Sequence, residues 1–222
     1  WSDFGFADPQ IQTPNIDRLA ASGTRFTQFY AGSPNKADAH WCLAAGRRPD
    51  ESPNWSNSSA ALLPENITLG EAMWQAGYAT GLVGDWGVLG PQGPATPEDQ
   101  GFDEWVGTFE SIEKSPPFPA SVLYHGRPIK FTKNANGQQG QLAQDFYVAE
   151  AANFMLRNFR QHPLFLQVHF STEGVPATAA ELEKYASQDW PETVKARAAA
   201  LTRIDRDIGK LLQRLTDIKQ LG

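Results

Sequence analysis

Four residues that can do chemistry occupy alternate positions from Lys36 to Cys42, with Asp38 and His40 between them. A lysine, a histidine and an aspartate supply the groups that acid–base catalysis needs. Cys42 is the chain's single cysteine, and it lies in a stretch predicted as a short helix ending at Gly46. A lone cysteine facing a core is typical of inert packing. The residue types allow a catalytic site, and the surrounding elements must decide whether these side chains meet.

The composition narrows the class of protein. The chain has 222 residues, 41% hydrophobic and 20% charged, which is enough for a buried core. Its formal net charge of −6 argues against a protein that binds duplex nucleic acid, because such proteins usually carry a basic face. One cysteine excludes an internal disulfide framework and a cysteine-rich zinc site. No apolar run approaches the roughly 18 residues that a transmembrane helix needs.

Helical and strand patterns alternate along the chain. They predict helices over 13–20, 68–77, 143–160 and 196–222, and strands over 24–30, 78–83 and 163–170. The alternation predicts an α/β fold with a mainly parallel central sheet. We expect the apolar segment 163–170 to be a central, buried strand with Leu166 and Phe165 on opposite faces.

Residues 3–34 carry a specific phrase, DFGFADPQIQTPNIDRLAASGTRFTQFYAGSP. It resembles the opening of the sulfatase family, in the alkaline-phosphatase superfamily, which typically has "DDLGYGD…TPNIDRLAAEGVRFTNFYAASP". Similar phrases follow in order over 63–69, 75–84, 101–105, 123–126 and 163–170. The resemblance implies a three-layer α/β/α sandwich, with 1–222 forming a single sulfatase-like domain. It also implies that the first strand and the C-terminal part of that domain are missing.

The nucleophile motif of the resembled family is altered. Sulfatases make their nucleophile, formylglycine, from the first residue of C-x-P-x-R. The corresponding segment of this chain is SPNKADAHWCLAAGRRP. An alignment without gaps to the family segment that contains C-x-P-x-R places Lys36 at the nucleophile, Asp38 at the proline and His40 at the arginine. Lysine cannot become formylglycine, and Cys42 is followed by Ala44 and Gly46 where the proline and arginine should stand.

The other catalytic phrases are altered as well. In the phrase that resembles "GKWHLG", Asp85 replaces the sulfate-binding lysine and Gly87 replaces the histidine. In the later phrase that resembles "F-x-A-P-H-x-P", Gly174 replaces the histidine. Of the opening pair of metal-binding aspartates, Ser2 replaces the first and only Asp3 is kept. The resemblance therefore implies no intact catalytic residue. It leaves Asp3 as a metal-site remnant, and the calcium or other divalent cation of the family is not expected here.

Two functions stay open. The first is a catalytically degenerate sulfatase homologue with a structural, binding or assembly role, such as that of an accessory subunit, with protein partners but no nucleic acid. The alternative is an active hydrolase of sulfate or phosphate esters that uses a rebuilt pocket of Lys36, Asp38, His40, Asp85 and Asp3. The family resemblance implies a periplasmic or extracellular location.

The exchanged charges give a structural test. If the backbone of the family is kept, the Lys36 ammonium points towards the Asp85 carboxylate, where the substrate would have been. Either the two side chains form an ion pair that fills the pocket, or both extend to water. The remaining histidines are interpreted structurally: His125 in a loop, His162 at a solvated helix end, and His169 as a core or sheet-end residue.

Overall fold

The computed structural model describes residues 3–51, 62, 66–87, 96–109, 116–170 and 176–221. The chain divides into two compact units, one formed by 30–169 and the other by 1–29 together with 170–222. The expectation of a single domain over 1–222 stays a prediction. No helix in the described part of the chain is both long and apolar enough to cross a membrane.

The unit 30–169 is built on a five-stranded sheet. Its helices are α2 (Lys36–Ala45), α3 (Leu69–Gln75) and α4 (Ala143–Asn158), and its strands are β1 (Ala79–Asp85), β2 (Glu104–Thr108), β3 (Ser121–Tyr124), β4 (Arg127–Lys130) and β5 (Leu164–Val168). Short 3₁₀ helices cover Pro49–Glu51 and Thr132–Gly137. The strand order is β4-β3-β2-β1-β5.

The sheet is mixed in direction. The central strand β1 pairs in parallel with both β2 and β5, whereas β2–β3 and β3–β4 are antiparallel. His125 and Gly126 join β3 to β4, and both have positive φ, as a two-residue hairpin turn requires. The α/β fold with a parallel portion is confirmed, and the antiparallel hairpin is the part that the sequence patterns did not predict.

Helices cover both faces of β1. An added Cβ at Gly81 would meet the ring of Phe154 from α4, so the absence of a side chain lets that helix lie close to the strand. The next residue, Leu82, points to the other face and packs in a cluster with Trp41 of α2, Phe102 and Trp105. These two faces give the α/β/α layering that the resemblance implied.

Strand β5 corrects one expectation. Leu166 contacts the Gly81 face and Phe165 stacks on Phe102, so their predicted placement on opposite faces is confirmed. The strand is the outermost of the described sheet, however, and its residues are half-buried. The prediction that it is central was wrong, because an apolar run indicates burial but not which strands pair beside it.

The predicted strand over 24–30 is a second correction. Residues 24–30 form no strand, and Phe26, Phe29 and Tyr30 are largely exposed. Alternating aromatic and polar residues favour a strand only where a neighbouring strand supplies the backbone partners. None of the described strands pairs with this segment.

The described residues of the second unit form three helices: α1 (Pro14–Ser22), α5 (Ala179–Glu183) and α6 (Glu192–Leu221). Thr13 occupies the N-cap position of α1 but makes no side-chain cap. The Asp205 carboxylate of α6 takes that role, since it accepts hydrogen bonds from the backbone N–H groups of Asn15 and Ile16 at 2.9 and 2.8 Å. Helix α6 begins at Glu192, four residues before the predicted start, and Gly222 lies outside the described residues.

Candidate functional site

The carboxyl ends of two neighbouring parallel strands define the candidate site. Asp85 is the last residue of β1, and His169 follows β5 directly. Gly84 has φ +112, and an added Cβ there would lie 2.7 Å from the carbonyl oxygen of His169. Glycine at this position therefore lets the two strand ends approach. Ligands of open α/β sheets bind beyond such carboxyl ends.

Helix α2 brings two more side chains to this place. The Asn35 side chain caps the helix by accepting from the backbone N–H of Ala37 at 2.9 Å. Lys36 and His40 are one helical turn apart, so they project from the same face. We call Lys36, His40, Asp85 and His169 the Asp85 cluster.

Lys36 and Asp85 form an ion pair. The lysine Nζ donates to Asp85 Oδ2 at 2.8 Å. The carboxylate side chain is 1% exposed and the lysine side chain 33% exposed, so the pair runs from the interior to the surface. Of the two arrangements open from the sequence, the internal pair is the one observed, and the ungapped alignment that brought residues 36 and 85 together is supported.

His169 is held at both ring nitrogens. Its Nδ1 lies 2.6 Å from the backbone carbonyl oxygen of Asp85 and 3.3 Å from Asp85 Oδ1, while its Nε2 lies 2.6 Å from the amide nitrogen of Gln167. A carbonyl oxygen can only accept and an amide nitrogen can only donate. These contacts therefore assign the proton of a neutral ring to Nδ1.

His40 is the incompletely paired member. Its ring centroid lies 4.8 Å from that of His169. Its Nδ1 is buried and has no hydrogen-bond partner among the described residues. Burial, together with the neighbouring His169 ring, lowers the pKa of His40 from 6.5 to about 4, although the Asp85 charge opposes this. At neutral pH the ring is therefore uncharged and can accept a proton.

Gly87 is matched to His40. It has φ +69, and an added Cβ would collide with Nδ1 of His40. The His40 ring occupies the space into which a side chain at position 87 would extend. A side chain at position 87 and the His40 ring therefore do not both fit the observed arrangement.

The remaining predicted residues do not take part in these contacts. Asp38 is buried in the first turn of α2, and its Oδ1 has no partner among the described residues. Burial raises the pKa of the Cys42 thiol, which supports its interpretation as inert packing. His125 occupies the β3–β4 turn and His162 is exposed after α4. Ser2 and Gly174 lie outside the described residues.

Asp3 belongs to the other unit, where its Oδ2 accepts a hydrogen bond from Arg197 at 2.9 Å. Calcium sites use about six to eight oxygen ligands. Within the described residues, a single half-exposed carboxylate already paired with arginine does not supply that set. That the family's divalent cation is not bound at Asp3 stays a prediction.

Sequence reasoning underestimated His169. Its structural role at the end of a strand is confirmed, but it also contacts Asp85, and its ring lies tilted against that of His40. The available signal was its position directly after a strand of a parallel sheet. His40, Asp85 and His169 each present one potential ligand atom within 4.8 Å of the others.

Comparison with known proteins agrees with the fold. The family model described as sulfatase matches residues 1–221. Human N-acetylgalactosamine-6-sulfatase is 31% identical over 98% of this chain and 45% of its own length, and human arylsulfatase A is 35% identical over 51% of this chain and 25% of its own length. The crystal structure of the protein named Ps i-CgsB superposes with a TM-score of 0.81 at 25% identity, covering 99% of this chain and 53% of that one.

Because the family model covers nearly the whole sequence, the chain belongs to the sulfatase family, of the alkaline-phosphatase type in fold. It spans about half the length of the curated N-acetylgalactosamine-6-sulfatases and of the solved structures it matches. The sulfatase-like architecture expected from the resemblance is confirmed.

Proposed function

We propose that this chain is a sulfatase homologue that does not hydrolyse sulfate esters by the mechanism of its family and that acts through binding or assembly. The observation that carries the proposal is the 2.8 Å ion pair between Lys36 and Asp85. By the alignment, these residues occupy the positions of the nucleophile and of the sulfate-binding lysine. On this alignment, the internal ion pair occupies the place where a sulfate group would bind.

Two chemical losses follow from this exchange. Lysine at position 36 cannot be oxidised to formylglycine, so the covalent step has no nucleophile of the family type. Asp85 places a buried negative charge where a sulfate oxygen needs a cation. Both changes act against binding and turnover of an anionic ester, which supports a role through the surface of the protein, as an accessory subunit for example.

The alternative hydrolase is favoured by a different observation. His40 is neutral at physiological pH, is partly buried, and lies beside His169 and Asp85. A neutral imidazole near a carboxylate is a suitable general base. On this alternative, water or a substrate hydroxyl would be deprotonated by His40, with Lys36 nearby as the cation.

One assay separates the two functions. The purified full-length protein is incubated with N-acetylgalactosamine 6-sulfate, aryl sulfates, aryl phosphates and phosphonates, with calcium or zinc present. We expect no turnover above that of the matched Lys36→Ala and His40→Ala variants. Turnover that either substitution abolishes would overturn the proposal and establish the rebuilt pocket as an active site.

The assembly role needs its own test. We propose a periplasmic or extracellular location, where fractionation of the native host would detect the protein. Purification from that compartment under mild conditions is expected to give a complex with a stoichiometric protein partner. A protein that is isolated only as a single chain would contradict the accessory role without affecting the expected lack of turnover.

A further inference from the structure

We infer that His40, Asp85 and His169 form a binding site for a first-row transition metal ion of the zinc type. The three residues come from α2, the end of β1 and the end of β5, and their ligand atoms lie within 4.8 Å of one another. Its three ligands do not include Asp3, to which the family resemblance assigns calcium. It does not rest on the proposed function.

The donor set selects the class of metal. Two imidazole nitrogens and one carboxylate oxygen are ligands that zinc and its neighbours prefer, whereas calcium takes an all-oxygen shell. Three protein ligands leave a fourth position open to water or to another ligand. In a tetrahedral site, zinc–nitrogen and zinc–oxygen distances of about 2.0–2.2 Å place the ligand atoms roughly 3.3–3.6 Å from each other. A spacing of 4.8 Å would therefore have to close by about 1.5 Å at most.

His40 is prepared for coordination. Its buried Nδ1 has no hydrogen-bond partner among the described residues, so a metal would satisfy an atom that otherwise has none.

His169 has the support that metal-binding histidines use. Such histidines commonly direct one ring N–H to a backbone carbonyl or a carboxylate, which fixes the ring. Nδ1 of His169 lies 2.6 Å from the Asp85 carbonyl oxygen. The Gln167 amide, 2.6 Å from Nε2, would have to turn aside.

Lys36 competes with the metal for Asp85. Its ammonium holds Oδ2 at 2.8 Å, and its side chain is one-third exposed, so it can move to water when a divalent cation takes its place. The structure therefore predicts that Lys36 weakens metal binding. Removing it should strengthen the site, which is the reverse of what a lysine that merely stabilises the fold would do.

The test is a titration of the chelator-treated full-length protein with CoCl₂, followed by visible absorption, and with ZnCl₂, followed by calorimetry. We expect one equivalent to bind, with zinc displacing cobalt.

The variants test each ligand. His40→Ala and His169→Ala should each lower the affinity at least about 10-fold, as loss of a ligand does, while substitution of the exposed His162 by alanine should not change it. Lys36→Met should raise the affinity several-fold. Cys42→Ala should leave the cobalt spectrum unchanged, because no thiolate takes part.

A second measurement uses the unmutated protein, in case the histidine variants do not fold. The chain has four histidines, so ¹⁵N NMR of the imidazole rings resolves each one. Zinc should shift the ring signals of His40 and His169 and leave those of His125 and His162 in place. Failure to bind one equivalent, or shifts confined to His125 and His162, would overturn the inference.

Discussion

Two buried clusters of charged residues differ in how completely their polar atoms are paired. In the Glu181 cluster, formed by Glu181, Arg203 and Arg206, the glutamate accepts two hydrogen bonds from Arg203 and one from the backbone N–H of Thr178. Burial opposes ionisation of Glu181, but these donors outweigh it and lower its pKa to about 2. Arg203 and Glu181 are both nearly inaccessible to solvent.

The Asp85 cluster is less complete. Lys36, a flexible side chain, pairs with Asp85 from the surface side, and His40 keeps a buried ring nitrogen without a partner among the described residues. A planar guanidinium holding both carboxylate oxygens leaves little for a ligand to add. A lysine point charge and an imidazole with one unpartnered nitrogen leave room for a ligand to add contacts. The comparison teaches that the Glu181 cluster serves stability, while the Asp85 cluster keeps one ring nitrogen, Nδ1 of His40, available to a ligand.

The largest expected effect tests the stabilising cluster. Arg203→Met leaves the buried Glu181 carboxylate without its main partner, and breaking a buried pair in this way costs about 3–5 kcal/mol. Chemical denaturation should therefore show a much lower unfolding midpoint. Arg214→Met, which removes a weak pair with Asp217 on the same helix, is the control and should change stability by less than about 1 kcal/mol. Equal effects of the two substitutions would contradict the assignment.

The two clusters should lose stability in different pH ranges. The pKa of Glu181 is about 2 in the folded protein against 4.5 ordinarily, so its contribution is complete above pH 4.5 and is lost as the pH falls towards 2. The pKa of His40 is about 4 against 6.5, so the unfolded chain takes up its proton first, and stability falls between pH 6.5 and 4. Each shift corresponds to about 3 kcal/mol at most.

Measuring the free energy of unfolding from about pH 7.5 down to about pH 2 checks both ranges. His40→Asn should remove the loss between pH 6.5 and 4 and leave the lower one unchanged. A profile that is flat between pH 6.5 and 4 in the unmutated protein would mean that His40 is not held neutral by the fold.

The smallest effect concerns the steric match of Gly87 and His40. Gly87→Ala should cost about 2–3 kcal/mol, because it adds a left-handed backbone penalty of about 1 kcal/mol to the collision with the His40 ring. Gly126→Ala is the matched control, since that glycine also has φ +69 but no neighbour within 4 Å of an added Cβ. In a His40→Ala background the two glycine substitutions should become equally costly. A difference that persists there would show that another contact limits position 87.

Local features of the fold were predictable from the sequence. The helix predicted from residue 68 is present and begins with a capping box of Thr68 and Glu71, and α4 begins at the predicted residue 143. The predictions of a strand over 24–30 and of a central position for β5 were wrong, because the position of a strand depends on partners that are distant in sequence. The hairpin β3–β4 was not predicted for the same reason.

The candidate site was predicted in part. The Lys36–Asp85 pair followed from the family resemblance, which supplied the proximity of two residues 49 positions apart. His169 and the match between His40 and Gly87 were missed, since neither spacing nor residue type shows which rings meet in space. An alignment to a family locates substituted positions, but it does not show how the substitutes contact each other.

The free side of β4 has a consequence for solubility. In the described sheet this strand lies at one end, and an unpaired strand edge can recruit the strand of another molecule. Its sequence is Arg127-Pro128-Ile129-Lys130, with both charged residues exposed. Pro128 pairs opposite Leu123, one step beyond the residues that close the two-residue turn, so its backbone nitrogen faces the open side. A missing donor there, flanked by two positive charges, protects that edge against intermolecular sheet growth.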